Sequence, residues 1–148
     1  MDHDTAAQRV DRGLLLLRIG LGLMFMVCHG GPKLFGGPEL WAKVGAAMSH
    51  LGITVVPVAW GFLAAASEFA GGLCLMLGLF TRPAAAFMAV TMAVATTMHL
   101  HQGDGLSGAS HAIEAGLVFL ALLLTGPGRY SLDRAFARPV DASRYTLP

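Results

Sequence analysis

Residues 53–80 read ITVVPVAWGFLAAASEFAGGLCLMLGLF, a run whose one formal charge is Glu68. A helix needs ~20 mostly apolar residues to cross the hydrocarbon core of a bilayer. This run exceeds that length, and a soluble helix apolar on every side would have to be buried on every side. Three other stretches repeat the pattern. Leu14–Cys28 holds only Arg18, Pro83–Leu100 holds no charge, and Ile113–Thr125 holds only Glu114. The first and last of these are short. They reach spanning length by extending through His29–Phe35 and back to about Ser110.

The composition points the same way. Apolar residues make up 55% of the 148 positions and charged residues 13%, about half the ~25% usual in soluble domains. Ten Lys+Arg against nine Asp+Glu leave a net charge of +1. That balance excludes a basic nucleic-acid binder, and the apolar content excludes a disordered chain or a coiled coil. Nothing alternates with period two, so strands are not expected.

The expected fold is an all-α integral membrane protein, a bundle of four transmembrane helices in a single domain. The spans fall at about 13–35, 55–80, 83–101 and 110–126, with a tail over 127–148. Arg82-Pro83, Gly103-Asp104-Gly105 and Gly126-Pro127-Gly128 punctuate them. Between the first two spans, a segment over about 38–51 places Leu40, Trp41, Val44, Met48 and Leu51 on one helical face. A short helix lying in the membrane interface fits that pattern.

Positive charge sets the expected orientation. If the N-terminus is cytoplasmic, the inside holds Arg9, Arg12, Arg82, Arg129, Arg134, Arg138 and Arg144, and the outside only Lys33 and Lys43. The bias predicts both termini in the cytoplasm, with Trp41 and Trp60 near the outer interface. The leader mixes Asp2, Asp4 and Asp11 with its arginines and has no small-residue cleavage site, so the first helix is expected to stay uncleaved. Cys28 and Cys74 differ in expected depth by roughly 15 Å, too far for a disulfide.

Charges inside a membrane are costly and need a reason to be there. Arg18, Gly22, Met26, His29 and Lys33 form one helical stripe. Glu68 is ringed by Ala64, Ala65, Gly71 and Gly72, small residues that let backbones approach. Ala85, Ala89, Ala93, Thr97 and His101 make another small-residue seam, and His111 shares a face with Glu114. His99 and His101 lie about 200° apart on a helix, so one of them, His101, is expected to face inward, while His3 and His50 are expected in solvent. His29, Lys33, His99, His101, His111 and Glu114 all fall in the outer half, above Glu68 near the middle. Such a cluster of imidazoles and carboxylates can exchange protons with a quinone. A metal held by His99, His101, His111 and Glu114 is the alternative, although the paired Glu-x-x-His motifs of di-iron bundles are missing.

The sequence also resembles a known family. Leu-Leu-Leu-Arg18-Ile-Gly-Leu-Gly with His29-Gly-Gly-Pro-Lys33-Leu-Phe is similar to the first helix of the DoxX family. Glu68-Phe-Ala-Gly-Gly-Leu-Cys-Leu-Met-Leu-Gly-Leu-Phe-Thr-Arg82 is similar to its second. Glu114 and Thr-Gly-Pro-Gly-Arg129-Tyr-Ser-Leu-Asp133 resemble its fourth helix and tail. The resemblance implies a small four-helix protein of the bacterial cytoplasmic membrane. It also implies a link to the membrane subunit of a thiosulfate:quinone oxidoreductase, to thiol and oxidative stress, or to complexes with soluble redox enzymes.

The expected roles follow. Glu68 and Glu114 would handle protons, His29 and His101 would bond quinone carbonyls, and Arg18 or Lys33 would stabilise negative charge. A scaffold that docks soluble redox enzymes through the Arg-rich tail, or a metal-binding or transport bundle in contact with membrane lipid, are the competing readings.

Overall fold

The computed structural model describes residues 3–137, with side chains from residue 5 onward. The described chain is helical with no strand, and four of its helical segments have the length and apolarity to cross a membrane. The first is one line made of α1 (His3–Met24), a π-helical turn (Phe25–Gly30) and α2 (Gly31–Phe35). A short helix, α3 (Gly37–Gly45), and a 3-10 turn (Ala46–Leu51) follow. The other spans are α4 (Pro57–Leu77), α5 (Thr81–His101) and α6 (Gly105–Thr125), and the tail holds α7 (Leu132–Phe136).

Two boundaries differ from the expected ones for physical reasons. Helix α1 starts about ten residues before the apolar run begins, because a helix satisfies its own backbone and can continue out of the hydrocarbon. The α4–α5 link is Gly78–Phe80 and not Arg82-Pro83. Gly78 ends α4 in the left-handed region at φ 64°, its N–H bonding to Leu75 O at 3.1 Å and that of Leu79 to Cys74 O at 2.9 Å. Pro83 then sits in the first turn of α5, where a missing N–H costs nothing.

Helix α1 packs on α4, α4 on α5, and α5 most extensively on α6. Phe25, Leu75, Ala85, Met88, Ala112 and Phe119 form the centre of the core. Lipid tails are as apolar as leucine, so helices in a membrane gain by close backbone approach. The α1–α4 seam shows this. A Cβ on Gly22 would stand 2.5 Å from the Gly72 carbonyl oxygen, and one on Gly72 would stand 2.6 Å from that of Gly22. Further along, a Cβ on Gly30 would fall on the backbone of Phe69.

Helix α3 is clamped to the bundle. A Cβ on Gly61 of α4 would strike the Trp41 carbonyl, and Trp41 meets Phe62 edge-on at 5.0 Å. Leu40, Trp41, Val44 and Met48 are half-buried on the expected face, while Leu51 stays exposed. The 3-10 turn reaches on to α5, where His50 stacks on His101 at 4.9 Å. His50, expected in solvent, is therefore a contact between elements. We call this end of the bundle the α3 end and the opposite one the tail end.

At the tail end the chain is tied back on itself. Both carboxylate oxygens of Asp133 accept backbone N–H bonds at the start of α5, from Phe80 at 2.7 Å and Thr81 at 2.9 Å. Asp11 of α1 accepts the Arg129 N–H at 2.9 Å. Arg138 and Arg144, the end of the Arg-rich tail, lie outside the described residues.

Candidate functional site

The stripe on the first span runs down α4. Arg18 is fully buried at the tail end. Its guanidinium donates to Leu75 O at 3.1 Å and to Tyr130 O. Leu75 lies in the last turn of α4, where unpaired carbonyls carry the negative end of the helix dipole. Arg18 thus joins three parts of the chain. Its NH1 and NH2 groups are committed to these carbonyls, so it stands apart from the other candidate residues.

Gly22 and Gly30 bring the two backbones together above it, and this closeness lets Lys33 reach Glu68. The Lys33 ammonium lies 2.7 Å from both carboxylate oxygens. Glu68 keeps 2% of its side chain exposed and Lys33 31%. The acid is therefore a buried charge balanced by a cation with one side in the open. The Lys33 carbonyl accepts the Trp41 Nε1–H at 2.9 Å, which anchors α3 to the end of the first span.

His29 sits one turn before Lys33, within the π-helical turn. Such turns widen a helix locally and recur at functional sites. Its ring stacks on that of His111 from α6, with centroids 5.1 Å apart and planes at 26°. Phe25 lies beneath, 5.0 Å from His29 and 6.2 Å from His111, and meets Phe119 edge-on at 4.9 Å. Among the described residues, neither imidazole makes a hydrogen bond. His29 also lies within electrostatic reach of Glu68 and Lys33. Side chains of these four aromatic residues, more than backbone contact, bridge the first span to α6. His29 is half-buried and His111 is exposed.

The structure does not bring the remaining candidates here. His101 is exposed, its Nδ1 paired with Thr97 O of its own helix at 2.9 Å. His99 pairs with Asp104 at 2.7 Å. Glu114 is exposed, because α6 buries Ala109, Ala112, Ala115, Phe119 and Leu122, and Glu114 falls one step round from that stripe. The four residues of the metal alternative do not converge. Among the described residues, no group of three His, Cys, Asp or Glu side chains is placed to hold a metal ion. Sequence reasoning missed the pairing of His29 with His111, which no spacing could signal across two helices. It also missed the role of Asp133 at the start of α5.

The buried ion pair, the paired imidazoles and the four spanning helices define a class: a small four-helix integral membrane protein with polar groups held inside the bundle. The chain belongs to the DoxX family, whose profile matches residues 13–101. It is 33% identical over 132 residues to Inner membrane protein YqjF of Escherichia coli (strain K12), covering 84% of this chain and 92% of that relative. It is 30% identical over 132 residues to Inner membrane protein YphA of the same organism, covering 82% and 88%. No solved structure matches.

Proposed function

We propose that the chain is a quinone-interacting redox protein, or the membrane subunit of one. In this reading it lies in the bacterial cytoplasmic membrane with both termini in the cytoplasm. The observation that carries the reading is the pair of imidazoles without hydrogen-bond partners, His29 and His111, beside the buried Lys33–Glu68 ion pair. A quinone headgroup has apolar faces and accepts hydrogen bonds at its two carbonyl oxygens. The residues present suit that chemistry. The rings of Phe25, His29 and His111 offer aromatic surface, and the two imidazole edges and the Lys33 ammonium offer donors.

When bound, a quinone supplies a couple that takes up two electrons and two protons. The part of this chain is to bind and to hold protons. In this reading His29 and His111 would donate to the carbonyl oxygens and pass protons. Glu68 holds the Lys33 ammonium in place. The compartment is supported by the two relatives named as inner membrane proteins. The orientation is supported by the arginines at the tail end against Lys33 and Lys43 at the other.

The test is to titrate decyl-ubiquinone and a short-chain menaquinone into detergent-purified protein. Trp41 fluorescence reports locally, since its indole is bonded to Lys33, and thermal unfolding reports globally. Saturable quenching and stabilisation are expected, weakened about tenfold in His29→Ala and in His111→Ala, the loss of one hydrogen bond. Absence of saturable binding to wild type, or binding by both variants as tight as that of wild type, would sink the assignment.

A further inference from the structure

The tail end carries a second polar feature, unconnected with the imidazole pair. A cavity of about 850 Å³ opens between the start of α5, the end of α6 and the tail, and Asp11, Phe80, Arg82, Arg129, Asp133 and Arg134 are among its lining residues. Five of those six side chains are formally charged, but the two signs are not equally free. Both oxygens of Asp133 are taken by the N–H groups of Phe80 and Thr81, and Asp11 accepts the Arg129 N–H. None of the three guanidiniums makes a salt bridge among the described residues. The one hydrogen bond they form is at the distance limit, from Arg82 to Leu124 O at 3.5 Å. Among the described residues, the cavity is thus lined by three guanidiniums without a carboxylate partner and by two carboxylates that accept backbone N–H groups, Asp133 through both oxygens and Asp11 through one.

We infer that this cavity is a binding site for a phosphate group, carried by an anionic phospholipid or present as a free anion. Guanidinium groups present a planar fork of donors that matches phosphate oxygens. The cavity's depth suits a headgroup, because α5 begins at Thr81 and α6 ends at Thr125, the limits of two membrane spans. Apolar surface for acyl chains is at hand: Phe80, which lines the cavity, is exposed, as are Leu124 and Phe136, each next in sequence to a lining residue. Basic pockets between spanning helices are a recurrent way of holding anionic headgroups.

The experiment follows thermal unfolding of the full chain in a neutral detergent. Dioctanoyl phosphatidylglycerol, dioctanoyl phosphatidylcholine and inorganic phosphate are added separately. Saturable stabilisation by phosphatidylglycerol and not by phosphatidylcholine supports the lipid source, and the same effect from inorganic phosphate alone assigns the site to a soluble anion. Arg82→Gln/Arg129→Gln should weaken the effective ligand about 25-fold, at roughly fivefold per arginine. Arg134→Gln, an exposed position on α7, should weaken it about fivefold without threatening the fold. Arg9→Gln/Arg12→Gln removes equal charge from outside the cavity and should leave binding unchanged. An equal loss in that control, or no saturable effect of either anionic probe, overturns the site.

Discussion

At the residue scale, the Lys33–Glu68 pair is where this protein places its largest electrostatic risk. Two charges taken from water are repaid only while they face each other, so losing one partner costs far more than losing both. Lys33→Ala leaves a carboxylate with 2% exposure and no counter-charge. It should destabilise by about 3 kcal/mol, the low end for buried pairs because the ammonium is partly open. Lys33→Met/Glu68→Leu should recover most of that loss, and denaturation in detergent of both variants against wild type checks the order. Glu68, Arg18 and Lys33 stand out in the sequence because charges are so rare in these spans. Their partners do not. Nothing local tells that Arg18 will find two backbone carbonyls while Lys33 finds a carboxylate, since both answers depend on how α1 crosses α4.

At the scale of elements, the crossing itself is testable. Gly20 has open space where its Cβ would be, whereas Gly30 is pressed on the Phe69 backbone. Gly20→Ala should therefore be neutral or stabilise by about 0.5–1 kcal/mol through helix propensity. Gly30→Ala should cost about 2–3 kcal/mol as overpacking and pull Lys33 from Glu68. Thermal melts of the two variants side by side separate propensity from packing. The start of α5 offers a second case. Asp133→Ala removes both acceptors from the N–H groups of Phe80 and Thr81 and should cost about 1–2 kcal/mol. Faster hydrogen exchange confined to the first turn of α5 is the expected signature. The four spans were legible because a helix of ~20 residues almost free of charge has no face to turn to water. The π-helical turn was not, since Gly30, Gly31 and Pro32 at its end disfavour a regular helix without telling a widened turn from a break. Nor was the outward position of Glu114, because a side chain one step off a buried stripe reads in sequence much like one on it.

For the whole molecule, the proposed orientation puts α3 outside the cell and both termini inside. In a Cys28→Ser/Cys74→Ser background, Lys43→Cys should react with a membrane-impermeant maleimide added to intact spheroplasts, and Arg134→Cys should react only after lysis. The reverse pattern would invert the topology. The ties at the tail end also bear on how the protein is made. Arg18 enters the membrane with the first segment synthesised, yet its acceptors lie 57 and 112 residues downstream. Until Tyr130 leaves the ribosome, a guanidinium sits in the bilayer with half its partners missing, and the start of α5 waits still longer for Asp133. Arrival of Tyr130 and Asp133 is thus the event that closes the bundle. A chain stopped after Gly126 would keep all four spans but expose an unquenched arginine to membrane quality control, and its half-life in cells should fall well below that of the full-length protein.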